Sequence, residues 1–249
     1  GGKPVFTKVL SKETASNMKQ FVRRLSKIFI LGVCLGFGMI FVQWYLKMDT
    51  DEFMPIFLRI ALVVIIGGAF ISMAYYLFYC KKMRRLIKLL RSGQAAEYTE
   101  GMEKLLRTAK GKYLREVLKL NLAAGYAELE KYSMALNIME ELAVSGLRGS
   151  ALKQVLGIDL FICYFKTTQY EKAMETYRKY QPIFCKCRGK KPNGGYMALL
   201  DIMAAIIDRD YARADSLLDE AMKTYKEPDI QADLLSLSGM VDSNLNHRS

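Results

Sequence analysis

KYSMALNIMEEL, residues 131–142, sets an aromatic residue (Tyr132) three places ahead of a small one (Ala135), with Met139 and Leu142 following. Residues three and four apart share one face of a helix, so this spacing predicts a helix with a single apolar stripe. The arrangement returns in EYTEGMEKLL from Glu97, QYEKAMETYRKY from Gln169 and DYARADSLLDEA from Asp210. The tyrosines of the four copies are Tyr98, Tyr132, Tyr170 and Tyr211. Gly101, Ala135, Ala173 and Ala214 follow them by three. The shortest interval, from Tyr98 to Tyr132, has the length of a helix–turn–helix solenoid unit, about 34 residues, and the later intervals are slightly longer.

Breaks fall between the copies at Gly93, Lys110-Gly111, Gly146 to Gly149 and Asn193-Gly194-Gly195. They cut the chain beyond residue 92 into helices of about 12 to 18 residues. No run of period-two alternation appears, so the fold class is all-α.

With these residues in place, the chain resembles the tetratricopeptide repeat family over roughly residues 82–225. In that pattern a tyrosine opens the second helix of each pair and a small residue three places on lets the two helices approach. Repeat two matches best, with Leu122, Ala123, Tyr126, Tyr132, Ala135, Met139 and Leu142. Repeat three offers Leu160, Phe161, Tyr164, Tyr170, Ala173 and Tyr177. Repeat four has Asp201, Ile202, Ala205, Tyr211, Ala214, Leu218 and Ala221. Repeat one carries Gly101, and its first helix is Lys81–Ser92.

The resemblance implies a stack in which neighbours bury each other's apolar faces and the ends are capped. Ile230, Leu234, Leu237 and Val241 would form the C-terminal capping face. The lining positions of the concave side would be Leu120, Ala124, Ala127 and Glu128, then Ile158, Ile162, Phe165 and Lys166, then Tyr196, Leu199, Met203 and Ile206. Members that grip a peptide carboxylate use Lys, Arg and Asn there, and this set lacks that clamp. An apolar groove suits an amphipathic helix or apolar segment of a partner protein. A tight, closed stack is the alternative.

Working toward the N-terminus, Ile28–Leu46 and Ile60–Tyr79 hold no ionised side chain. At about 1.5 Å per residue each covers the hydrocarbon core of a bilayer, about 30 Å. A transmembrane hairpin is expected over 18–80, with spans near 28–46 and 56–80, followed by a helical domain over 81–249. Residues 1–17 show no helical periodicity and are read as a flexible arm or a non-native extension. Gly32 and Gly36, with Gly67, Gly68 and Ser72, allow close helix approach within the hairpin or between copies of the chain.

Cations flank the hairpin: Lys19, Arg23, Arg24 and Lys27 before it, and Lys81, Lys82, Arg84, Arg85, Lys88 and Arg91 after it. The connecting loop carries Asp49, Asp51 and Glu52. The positive-inside rule puts both termini in the cytoplasm. The second basic set would meet anionic lipid, and the short loop suits a bacterial inner membrane. Its apolar residues Met83, Leu86, Ile87 and Leu90 form one stripe, so the second span is expected to continue as one helix to Gly93.

The formal charge of +12 divides unevenly. Residues 1–91 carry 15 Lys and Arg against 4 Asp and Glu, and residues 92–249 carry 22 against 21. The basicity therefore belongs to the membrane flanks, and no nucleic-acid footprint is indicated. Only Lys186, Arg188, Lys190 and Lys191, around the C-x-C of Cys185 and Cys187, form a local basic loop. No second ligand pair accompanies these cysteines, so neither a metal nor another cofactor is expected. His247 is the single histidine, and no phosphate-binding or nucleophile motif occurs. The sequence supports a non-enzymatic, membrane-anchored adaptor or scaffold. The alternative is an accessory subunit of a transport, secretion or envelope-assembly complex, with the hairpin as its working part.

Overall fold

The computed structural model describes residues 36, 38, 41, 50–147, 149–186, 188 and 193–246. Most of the expected first span, including Gly32 and Cys34, lies outside them, as do residues 1–17, Cys187, Lys190, Lys191 and His247. Among the described residues the chain is all-helical, with no strand. The chain divides into two compact units between Arg84 and Arg85, slightly beyond the expected boundary at residue 80.

The first unit contains most of α1, Thr50–Arg91, a single helix of 42 residues. At about 1.5 Å per residue it is roughly twice as long as the hydrocarbon core requires. Among the described residues one helix, Met54–Arg91, is long and apolar enough to cross a membrane, and none of its most apolar stretch is buried. Ile71 is 75% exposed, Phe70 72% and Val63 69%, and Ile56, Leu58, Ile60, Leu62 and Ile66 are exposed too. These positions cover most of the helix circumference and leave one half-buried stripe, at Ala61, Ile65, Gly68 and Ser72. Gly36 lies close to α1, where an added Cβ would come within 3.4 Å of Phe57 Cζ. Gly38, Gly67 and Gly68 have open space instead. The helix continues to Arg91 as expected, and Met83, Ile87 and Leu90 are buried along it.

The second unit, from Arg85, is built of paired helices. After α1 come α2 (Ala95–Thr108), α3 (Lys112–Glu128), α4 (Tyr132–Ser145), α5 (Ser150–Lys166) and α6 (Tyr170–Phe184). Then follow α7 (Gly194–Ile207), α8 (Tyr211–Thr224) and α9 (Pro228–Asn246). Tyr132, Tyr170 and Tyr211 each open a helix, as the spacing predicts. Ala135, Ala173 and Ala214 are each 0% exposed, the small contacts that permit close approach.

The same turn closes every pair. Glu130, Thr168 and Arg209 all adopt φ 58°, the left-handed region, two residues before those tyrosines. In each turn three successive backbone N–H groups donate back to the preceding helix: Leu129 to Gly125, Glu130 to Ala127 and Lys131 to Tyr126 in the first. The N–H groups of Thr167, Thr168 and Gln169 repeat it with Cys163, Phe165 and Tyr164, and those of Asp208, Arg209 and Asp210 with Ala204, Ile206 and Ala205. This pattern satisfies carbonyls that a helix C-terminus otherwise leaves open. Side-chain capping contributes at α8, where Asp210 accepts from the Arg213 N–H at 3.1 Å.

The turn also corrects the register of repeat one. Ser92, Gly93 and Gln94 make the same three bonds, with Gly93 at φ 83°. Gly93 thus matches Glu130, which aligns Ala95 with Tyr132 and Tyr98 with Ala135. Successive units run from Gly93 to Glu130, from Glu130 to Thr168 and from Thr168 to Arg209. All three are longer than the interval from Tyr98 to Tyr132, which joined positions that are not equivalent. Tyr98, Met102 and Leu105 are buried like Ala135, Met139 and Leu142. Tyr98 and Thr99 are accommodated by Gly125 on α3, where a Cβ would lie 2.8 Å from the Tyr98 ring and 2.6 Å from Thr99 Oγ1.

Neighbouring helices pack in chain order from α2 to α9. In addition α3 packs on α5, α5 on α7, and α7 on α9. Helix α9 buries Ile230, Leu234, Leu237 and Val241, the expected capping face.

Candidate partner-binding face

The row α3, α5, α7 carries all twelve expected lining residues. Leu120, Ala124, Ile158, Phe165, Tyr196, Leu199, Met203 and Ile206 are buried. Ala127, Glu128 and Ile162 are half-buried, and Lys166 is exposed. Helical periodicity groups Leu120 with Ala124, Ile158 with Ile162, and Leu199 with Met203, one stripe per helix.

The face also holds polar groups that the sequence reading passed over. Glu116 lies four residues before Leu120 and Gln154 four before Ile158, so each heads one of these stripes. Both are buried, and neither Glu116 carboxylate oxygen has a hydrogen-bond partner, nor does Gln154 Nε2. Lys112 is the ion-pair partner of Glu116, at 3.7 Å. Asn121 is 0% exposed and fully engaged: its Nδ2 donates to the Val117 carbonyl at 2.8 Å, and its backbone carbonyl accepts from Tyr98 Oη at 2.9 Å. One repeat later the equivalent residue is Asp159, 8% exposed, whose Oδ2 has no partner. Burial pushes this carboxyl up to about 7, because no compensating charge offsets the lost hydration. The available signal was two pairs of polar residues at one shared spacing, Asn121 with Asp159 and Glu116 with Gln154, on otherwise apolar helices.

Tyrosine–carboxylate bonds join successive pairs. Tyr126 Oη donates to Glu103 at 2.5 Å and Tyr164 Oη to Glu140 at 2.7 Å. The bond to Glu103, then burial, pushes the Tyr126 phenol up to about 12. At the next joint the order reverses, and Tyr177 on α6 donates to Asp201 on α7. Arg188 donates to both Tyr177 and Asp201 at 2.7 Å, so this cation of the basic loop is tied into the fold.

The six basic positions Lys81, Lys82, Arg84, Arg85, Lys88 and Arg91 are all exposed on α1. Lys82 Nζ sits 4.3 Å from the centre of the Phe78 ring, a cation–π contact. Cys163 is buried, and burial, then the charge of Asp159, pushes its thiol up to about 12, the opposite of an activated nucleophile. Cys185 is exposed. Among the described residues no group of three or more His, Cys, Asp and Glu side chains is placed to hold a metal.

No protein-family model, no curated protein and no solved structure matches this chain.

Proposed function

We propose that this protein is a membrane-anchored adaptor: a transmembrane hairpin carrying a tetratricopeptide-like solenoid that recruits a partner protein at the cytoplasmic face. The observation that carries the reading is the repeated left-handed turn at Gly93, Glu130, Thr168 and Arg209. A turn reused at near-constant spacing is what stacks identical helix pairs, and stacked pairs present a continuous inner face. Apolar exposure over most of α1, outside the half-buried stripe of Ala61, Ile65, Gly68 and Ser72, supports lipid as the solvent of the remaining surface. The exposed cations from Lys81 to Arg91 support contact with anionic headgroups and a cytoplasmic head. A bacterial inner membrane suits this arrangement.

The second reading makes the hairpin the working part of a larger membrane complex. The open space beside Gly67 and Gly68 favours it, because small residues on a lipid-facing helix invite another helix.

Photo-crosslinking in living cells separates the two. A photoreactive residue replacing half-buried Ile162 or exposed Lys166 should capture one discrete protein if the adaptor reading holds, while one replacing exposed Glu171 should not. Capture confined to Phe70 and Ile71 would favour the complex subunit. A membrane-impermeant thiol reagent should label a cysteine introduced at Thr50 and spare one at Ser249; the reverse pattern would overturn the topology.

A further inference from the structure

We propose that Arg59 binds the phosphate of a phospholipid in the leaflet away from the basic flank, and that Arg59 at one end and Lys81 and Arg84 at the other hold α1 at a single depth between the two phosphate layers. The inference rests on the reading of α1 as a helix embedded in lipid.

Apart from Arg59, the stretch of α1 from Met54 to Tyr79 carries no charge. At about 1.5 Å per residue it is roughly 38 Å long, against about 30 Å of hydrocarbon. Hydrophobicity alone therefore leaves the helix free to slide or lean by several ångströms. The charges remove that freedom. Arg59 and Lys81 stand roughly 33 Å apart along the axis, so both backbones can lie just outside the hydrocarbon at once. Met54 then lies roughly 8 Å beyond Arg59, within a headgroup layer of about 5–8 Å on each side.

The placement around the helix fits lipid as the partner. Arg59, Ile66, Phe70, Leu77, Lys81 and Arg84 follow one another at helical spacing and are all exposed. They form one row, on the other side of the helix from the half-buried stripe of Ala61, Ile65, Gly68 and Ser72. Arg59 therefore faces the same surroundings as Phe70 and Leu77. No Asp or Glu occurs between Glu52 and Glu97, so no acid on this stretch of the helix neutralises it. Side chains on a helix tilt toward its N-terminus. That direction carries the Arg59 guanidinium outward to one phosphate layer and draws Lys81 and Arg84 back toward the other. A guanidinium in poorly hydrated surroundings pairs with two phosphate oxygens through parallel N–H bonds.

The test locates the residue at the bilayer centre. The clamp centres Phe70, midway between Arg59 and Lys81. Hydrophobicity alone would centre the helix between Ile66 and Gly67, midway between Met54 and Tyr79 and roughly 5 Å away. The full chain carries Trp44→Phe and one tryptophan in place of Val63, Ile66, Phe70, Met73 or Leu77. Emission is bluest from the tryptophan nearest the centre. In phosphatidylcholine vesicles Phe70→Trp should be bluest. Adding Arg59→Leu should pass that place to Ile66→Trp. Vesicles of digalactosyl diacylglycerol, which has no phosphate, with acyl chains of matched length, should do the same with Arg59 intact.

A bluest position at Ile66 in phosphatidylcholine with Arg59 intact overturns the proposal, as does a centre that Arg59→Leu leaves in place. A centre that stays at Phe70 in the galactolipid also overturns it, since hydration alone would then hold the guanidinium. All three results leave α1 in the bilayer. Emission at the wavelength of tryptophan in water from every position would instead remove the lipid environment, and the clamp with it.

Discussion

Replacing Thr168 by glycine should make this protein more stable, although it deletes a side chain. Thr168 sits at φ 58°, where its Cβ crowds the backbone and its β-branch has the least room. Left-handed backbone costs a residue bearing a Cβ about 1–2 kcal/mol. Glycine recovers that amount but brings about 0.5–1 kcal/mol of extra chain entropy to be lost on folding. The exposed hydrogen bond from Thr168 Oγ1 to the Thr167 carbonyl, 2.7 Å, disappears, and water largely replaces it. The net gain should be about 0.5–1 kcal/mol, or a melting temperature raised by roughly 2 °C for a domain of this size. Urea unfolding of the full chain in detergent, followed by helical circular dichroism, measures it. Glu130→Gly and Arg209→Gly should move the same way by a similar amount. Thr168→Ala keeps the Cβ and should gain nothing. If glycine performs no better than alanine at all three positions, the shared left-handed turn, and with it the register of the repeats, is refuted.

Three further outcomes follow from the packing and the buried carboxyl. Ala135→Leu and Ala173→Leu should each destabilise the head by roughly 1–3 kcal/mol through overpacking, read from the same urea midpoints. Tyr98→Ala should cost about 3 kcal/mol alone, while Gly125→Ala should be less costly beside Tyr98→Ala than in the wild type but not free, because Thr99 Oγ1 also lies 2.6 Å from the added Cβ; a double-mutant cycle detects the coupling. The Asp159 carboxyl titrates at about 7 when folded and at about 3.9 when unfolded, so the folded chain keeps a proton that the unfolded chain has lost. Stability contributed here should therefore decline as pH rises from about 4 to 7 and level off above; Asp159→Asn should abolish that slope and gain on the wild type by an amount on the order of several kcal/mol. Parallel pH profiles of the two chains would sink this account.

The helix boundaries were largely written in the residues. Gly93, Gly111 and Gly146 to Gly149 break the apolar periodicity, and the structure ends or begins helices there. Repeat one misled because Tyr98 followed by Gly101 imitates the aromatic-plus-small pattern that elsewhere opens the second helix. The true equivalent, Ala95, looks like nothing in particular. The tell lay in Gly93, the one glycine among the left-handed residues of the four turns within helix pairs. Glu130, Thr168 and Arg209 are not residues that ordinarily signal such a turn, so tertiary packing imposes the conformation and their sequence is silent. The family resemblance named twelve residues that lie on α3, α5 and α7. The polar residues of these helices escaped notice because Asn121 and Asp159 resemble ordinary surface residues until the helices on either side are in place.

The tyrosine–carboxylate joints govern which pieces of this chain could be cut out or copied. Glu103 with Tyr126 and Glu140 with Tyr164 follow one rule, acid on the earlier helix and phenol on the later. Excising residues 112–149 would bring Glu103 to Tyr164 and preserve the rule, so that unit is interchangeable, and duplicating it would lengthen the row without a mismatch. Excising residues 150–193 would bring Glu140 to the helix of Asp201 and remove Tyr177 and Arg188, leaving two acids at one joint with no phenol between them. The third helix pair therefore acts as an adapter between two dialects of the same contact. It fixes where the array can grow and where it must stop.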